Sequence, residues 1–239
     1  FYEPLVEFML SGPSVAIRGR HALSAARVAA SSRVERTARP VTHVQVGQAV
    51  ATASAVLNYI CLYSITFLLP FYLIQGRGLG SAQAGLILTA QPLVMAIVAP
   101  LSGALSDRIG SRVLSSVGML ILACGLAFLS RLGVASPVAH VVAGLALAGL
   151  GTGIFISPNT SALMGAAPRG RQGIASGILA TARNAGMALG VGMAGAIYSS
   201  VLAAAPASDM ALFTAVGAAF LFASAVGFVG AGVSAIRGG

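Results

Sequence analysis

The sequence predicts an all-α membrane protein built as a six-transmembrane-helix bundle, and three observations carry that expectation. Hydrophobic residues make up 57% of the chain and charged residues only 8%, against about 45–50% and about 25% in a soluble domain. A water-soluble globule would lack the polar groups to cover itself. Six stretches, all but one free of charge, are long enough to cross a hydrocarbon core of about 30 Å, which takes roughly 20 helical residues at about 1.5 Å each. Arginine collects in alternate gaps between them. Aliphatic residues run through nearly the whole chain, which excludes disorder, and the 30 glycines follow no collagen period.

The first element is a polar arm, residues 1–46, with six arginines, three glutamates, two histidines and no apolar run able to span. It reads as a flexible, solvated linker. Its Arg, Ser and Ala bias loosely resembles an organelle transit peptide, and as a basic amphipathic segment it suits the surface of anionic lipid. Because the chain begins with Phe1, it reads as a processed or truncated piece. The six expected spans follow at about 48–74, 83–105, 113–130, 137–158, 174–201 and 211–236. Breaks bearing Gly, Pro, Ser or charge separate them.

The formal net charge is +9 and the isoelectric point about 11.1, values that would point to nucleic acid if the charge lay on one polar face. It does not. All fourteen basic residues are arginine, and after the arm they lie mostly in short gaps, where retention of positive charge on the cytoplasmic side explains them. Arg108 and Arg112 follow the second span, Arg169 and Arg171 the fourth, and Arg237 the sixth; the opposite gaps hold only Arg77 and Arg131, with Asp209. Both termini are therefore expected in the cytoplasm, with no nucleic-acid partner. Without lysine there is no P-loop, Schiff-base or Ser-x-x-Lys chemistry. His21, His43 and His140 lack metal spacing, Cys61 and Cys124 read as small buried hydrophobes, and no catalytic constellation is placed. No enzyme activity, metal or cofactor is expected.

The densest cluster of charge is Gly103-Ala-Leu-Ser-Asp107-Arg108-Ile-Gly110-Ser-Arg112, a tight turn between the second and third spans. Glycine permits the turn. Asp107 is expected to accept hydrogen bonds from a neighbouring helix N-terminus, and Arg108 and Arg112 to face lipid phosphate or carbonyl ends. This stretch resembles the G-x-L-[SA]-D-R-x-G-x-R signature of the major facilitator superfamily. Phe67-Leu-Leu-Pro70-Phe-Tyr72, Ala84-Gly-Leu86 and Pro100-Leu-Ser-Gly103 are similar to the first two helices of that family's C-terminal half. Pro168-Arg-Gly-Arg-Gln-Gly173-Ile-Ala-Ser-Gly177 and Ala182-Arg-Asn-Ala-Gly186 resemble the fifth helix of that half in the fourteen-span drug/proton antiporter branch. The resemblance covers about 190 residues. It implies half of a major-facilitator fold, a 3+3 inverted repeat, with Gly103, Asp107, Arg108, Gly110 and Arg112 as a loop that switches between alternating-access states. The N-terminal six helices of such a transporter have no counterpart in this sequence.

Arg183 is the strongest signal in the residues themselves. An arginine near mid-helix costs about 2.5–3.5 kcal/mol on insertion scales, so it should turn inward, with Ser176, Ala180, Gly190 and Ala194 on its side. There it either caps carbonyls or lines a transport path with Asn184. No Asp or Glu lies in the six expected spans, so any protonatable carboxylate must come from outside this chain. In the first span Tyr59, Tyr63, Thr66 and Pro70 form a stripe suited to a cavity wall. Asn58, Gln91 beside the kink-prone Pro92, and Asn159 could add polar contacts, each alone more often an interhelical hydrogen bond than a ligand contact. Gly190-Val-Gly192-Met-Ala-Gly195 spells a dinucleotide fingerprint but sits inside a span, so its glycines read as helix contacts.

The expected function is secondary transport: by resemblance, exchange of protons for amphipathic drugs or small metabolites across a bacterial plasma membrane, with lipid and a missing N-terminal half as partners. Two rivals stand beside it. One is an incomplete fragment without transport of its own; the other is a membrane anchor presenting the basic arm.

Overall fold

The computed structural model describes residues 43–165, 172–204 and 209–236; the arm and Arg169, Arg171 and Arg237 lie outside them. Among the described residues all elements are helical: α1 (His43–Pro70) followed by a π-helical turn (Phe71–Gly76), α2 (Ser81–Leu88), α3 (Ala90–Ile109), α4 (Ser111–Leu129), α5 (Val138–Gly165), α6 (Gln172–Ala204) and α7 (Asp209–Ile236). With α2 and α3 as one interrupted span, six helices are long and apolar enough to cross a membrane. The six-span reading holds.

The break in the second span differs from expectation. It falls at Thr89 rather than at Pro92. Pro92 occupies the first turn of α3, where its missing N–H removes a donor that has no partner within the helix anyway. The Thr89 hydroxyl instead bonds the Leu86 carbonyl at 2.6 Å.

Packing follows the rule for lipid, where apolar burial does not drive helices together and small residues let backbones approach. α4 and α5 meet at Gly118 and Gly151: a Cβ on Gly118 would lie 2.7 Å from the Gly151 oxygen and the Phe155 nitrogen. Side-chain donors stitch neighbouring backbones, with Ser102 Oγ to Gly153 O at 2.9 Å, Ser224 Oγ to Ala123 O at 2.8 Å and Cys61 Sγ to Ala223 O at 3.3 Å. Cys61 is buried as expected; Cys124 is exposed, on the outward side of α4.

The pairing of elements explains the architecture. The first span packs on the fifth and sixth, and the fourth on the second and third, while the third meets the sixth and the first meets the fourth. Exchanging the first three spans with the last three leaves these pairings unchanged, as an inverted 3+3 repeat requires. One consequence is unequal burial. In the second and fifth spans 11% of the apolar window is buried, against 44–50% in the other four. Those two spans flank a core of α1, α4, α5 and α7.

At one end of the bundle the connections interlock. Tyr72, fully buried in the π-helical turn, donates its hydroxyl to Gly133 O at 3.0 Å, and Arg77 Nη1 donates to Val134 O and Ser136 O at 2.6 and 2.5 Å. Arg77 is thus a clamp between loops. Tyr72→Phe removes one of two donors to Gly133 O, which also accepts from Ser136 N at 3.2 Å, and is expected to lower stability by about 1 kcal/mol, read as a fall in the detergent melting temperature; an unchanged midpoint would mean the hydroxyl adds nothing there.

Candidate functional site

The candidate site grows from the seam between α1 and α6. α6 contributes glycines where it touches α1. A Cβ on Gly190 would lie 2.6 Å from Ile60 O, and one on Gly186 would lie 2.5 Å from the Tyr59 Cβ. Ser64 Oγ reaches Gly190 O at 3.4 Å. This close fit pushes the large side chains of α1 to the rim of the seam. Tyr59, Tyr63, Phe67 and Phe71 recur every four residues, all half-buried, and Tyr198 of α6 closes the row. Ring centroids are 6.5 Å apart for Tyr59 and Tyr63, 5.1 Å for Phe67 and Phe71, and 5.3 Å for Phe71 and Tyr198.

Arg183 stands exposed at the Tyr59 end of this row, one turn before Gly186, with the guanidinium close enough to Tyr59 to act on it electrostatically; Asn184, also exposed, lies on the opposite face of α6 from Gly186. Two sequence expectations change. α6 runs 33 residues, about 50 Å, so Arg183 sits about 17 Å from its first residue rather than at its middle. Nor does it turn into this bundle. Gly190 and Ala194 are buried, whereas Ser176 and Ala180 are exposed with Arg183. The buried line along α6 passes through Ala175, Ala182, Gly186, Gly190 and Ala194 and drifts around the helix as it crosses α1. Of the fingerprint glycines, Gly190 and Gly195 touch α1 and Gly192 meets nothing within 4 Å.

The charged turn lies at the end of the bundle opposite Arg77. Gly110 takes φ +87° between α3 and α4, a left-handed conformation that favours glycine. Gly103 packs on α5, where a Cβ would lie 2.7 Å from Ser157 Oγ. Asp107, Arg108 and Arg112 are exposed. Asp107 does not cap α4, whose N-cap is Gly110 without a side-chain bond. It occupies the last turn of its own helix, where the dipole disfavours an anion and favours Arg108. Nearby, an apolar groove of about 270 Å³ opens between α3 and α4, lined by Leu101, Leu105, Val113 and Val117 among others. It suits a lipid tail and offers no chemistry for recognition.

A family model described as Major Facilitator Superfamily matches residues 51–236. The chain belongs to that superfamily. The chain is 34% identical over 155 residues to the riboflavin transporter RibZ of Clostridioides difficile, covering 64% of this chain and 33% of that protein. It is 33% identical over 156 residues to the multidrug resistance protein Stp of Mycobacterium tuberculosis, covering 65% and 29%. The uncharacterized transporter YebQ of Escherichia coli is 38% identical over 125 residues, covering 52% and 27%. The chain thus spans about a third of the length of these relatives.

Within this facilitator bundle two sequence candidates are not brought to the seam. Asn58 is fully buried and donates to Met119 Sδ at 3.4 Å, and Gln91, 6% exposed, lies against Gly149 at the junction of α3 and α5. The Gln91 contact is made by its backbone, and its side-chain Nε2 is buried without a hydrogen-bond partner among the described residues. Asn159 donates to Ala51 O at 3.2 Å. The sequence reading followed the stripe of Tyr59, Tyr63, Thr66 and Pro70 and missed Phe67, Phe71 and Tyr198. The four-residue spacing from Tyr59 held the signal, which continues past Pro70 because a π-helical turn carries the row on.

Proposed function

We propose that the chain is the C-terminal half of a secondary transporter that exports amphipathic drugs or small metabolites across a bacterial plasma membrane by alternating access, in exchange for protons. The supporting observation is the α1/α6 seam: a row of aromatic rings ending in an exposed arginine, on the side of the bundle that its own helices leave open. Apolar side chains on the α2, α3 and α6 flanks suit lipid or another protein equally. Arg183 and Asn184 call for a polar surrounding, which a second six-helix bundle enclosing a wet cavity would supply. The names of RibZ and Stp fit a path that accepts organic molecules. With acids in the bundle region limited to Asp107 and Asp209, the coupling carboxylate belongs to the other half, and both termini face the cytoplasm with Arg108 and Arg112.

In this reading Asp107 waits for a helix N-terminus of the other half, which explains why an anion is kept where its own helix disfavours it. Asp107→Asn is then expected to raise the bundle's stability by about 0.3–1 kcal/mol while slowing transport by roughly tenfold. The test is dye efflux in inverted vesicles, with and without a pH gradient, by the chain alone and joined to a second half. Gradient-driven flux should require both halves. Flux by the chain alone would overturn the external carboxylate, and full-rate flux by the Asp107→Asn protein would overturn the switch.

A further inference from the structure

We infer that the seam selects planar aromatic molecules that carry an anionic group or no charge, and discriminates against organic cations; this rests on the transport reading above and specifies its substrate class. The aromatic row on α1 and its π-helical turn spans thirteen residues from Tyr59 to Phe71, about 18 Å of helix. The rings of Tyr59 and Tyr63 are tilted by 38°, those of Phe67 and Phe71 by 57°, and Tyr198 lies at 37° to Phe71, so each offers part of a face or edge to the open side. Half-buried rings with fixed backs form a surface on which another flat ring stacks with little ordering cost.

Rings alone do not set the sign of the ligand's charge, because their faces also attract cations. Arg183 sets it. Arg183 lies one turn before Gly186, the α6 residue that packs on Tyr59, so its exposed cationic guanidinium stands at that end of the row. The acids of the bundle region, Asp107 and Asp209, lie at helix ends, and the chain contains no lysine. A carboxylate, phosphate or polarised carbonyl on a stacked ligand meets a forked donor. A ring bearing a positive charge meets repulsion at the same place, in surroundings that screen it less than water does.

Two xanthene dyes with nearly the same ring system and opposite charge, fluorescein and rhodamine 6G, test this. Binding to the full chain in zwitterionic nanodiscs is read by fluorescence anisotropy in mildly alkaline buffer, with empty nanodiscs subtracted. Fluorescein is expected to bind at least about tenfold more tightly. Arg183→Gln should lower fluorescein affinity by about tenfold and leave rhodamine 6G unchanged or tighter, with Arg183→Lys retaining part of the preference. Tyr63→Leu should weaken both dyes alike. Tighter rhodamine 6G binding, or a ratio untouched by Arg183→Gln, overturns the charge selection and leaves the transport reading standing. Binding of neither dye to a helical, monodisperse chain overturns the substrate class assigned to the seam, while the transport reading is decided separately by flux through the joined halves.

Discussion

Arg183→Leu is expected to insert more readily and transport far less. The substitution removes a charge from within the hydrocarbon span, where an arginine at the midplane costs about 2.5–3.5 kcal/mol. Its off-centre place on α6 makes the gain smaller, at most about 3 kcal/mol. A more stable, better inserted protein is the result if no contact that holds the fold depends on the arginine. On the seam, however, Arg183 stands exposed one helical turn before Gly186, the α6 residue that packs on Tyr59 at the end of the aromatic row. Losing a charged hydrogen bond worth about 1.5–3 kcal/mol to a substrate lowers transport roughly ten- to hundredfold. Glycosylation mapping of the inserted chain and vesicle flux of the joined halves measure the two effects separately. Parallel losses of insertion and flux would mean that Arg183 holds the fold, and unchanged flux would remove it from the path.

The opposed signs of that prediction reflect what a sequence of this kind exposes to reading. Six spans and their class were legible because the bilayer imposes a length and a polarity on each helix, whatever the helix touches. Gly110 was legible too, since a charged six-residue turn needs a left-handed residue and only glycine takes it freely. Facing was not. In lipid, the apolar side of a helix looks the same whether it meets a neighbour, a tail or a cavity, so Asn58 and Tyr59, adjacent in sequence, could both be read as path residues. The structure buries Asn58 against Met119 and leaves Tyr59 at the rim. Which bundle Arg183 turns toward was not legible for a related reason; in this one it is exposed. Insertion energetics demand a polar surrounding and do not say which bundle supplies it. Asp107 shows the reverse case, where local physics at the end of α3 argues against its charge and so points beyond this bundle.

A single methyl group should act in opposite directions at two glycines of the same bundle. At Gly151 an added Cβ would meet the backbone of α4, namely Leu122 N and Gly118 O, neither of which belongs to a side chain that can swing away. The α4/α5 contact must open as a unit, and α5 also carries Gly149 and Gly153 against α3. Its displacement therefore reaches both neighbours. Gly151→Ala is expected to destabilise the bundle by about 1–3 kcal/mol, the usual range for overpacking a tight interior. At Gly232, on the exposed side of α7, nothing lies within 4 Å of an added Cβ. There the same change only reduces backbone freedom and should stabilise by about 0.5–1 kcal/mol. Thermal unfolding in one detergent, followed by circular dichroism, compares the two variants with the parent. If both midpoints moved the same way, close backbone packing at Gly118 and Gly151 would not be what holds α4 to α5.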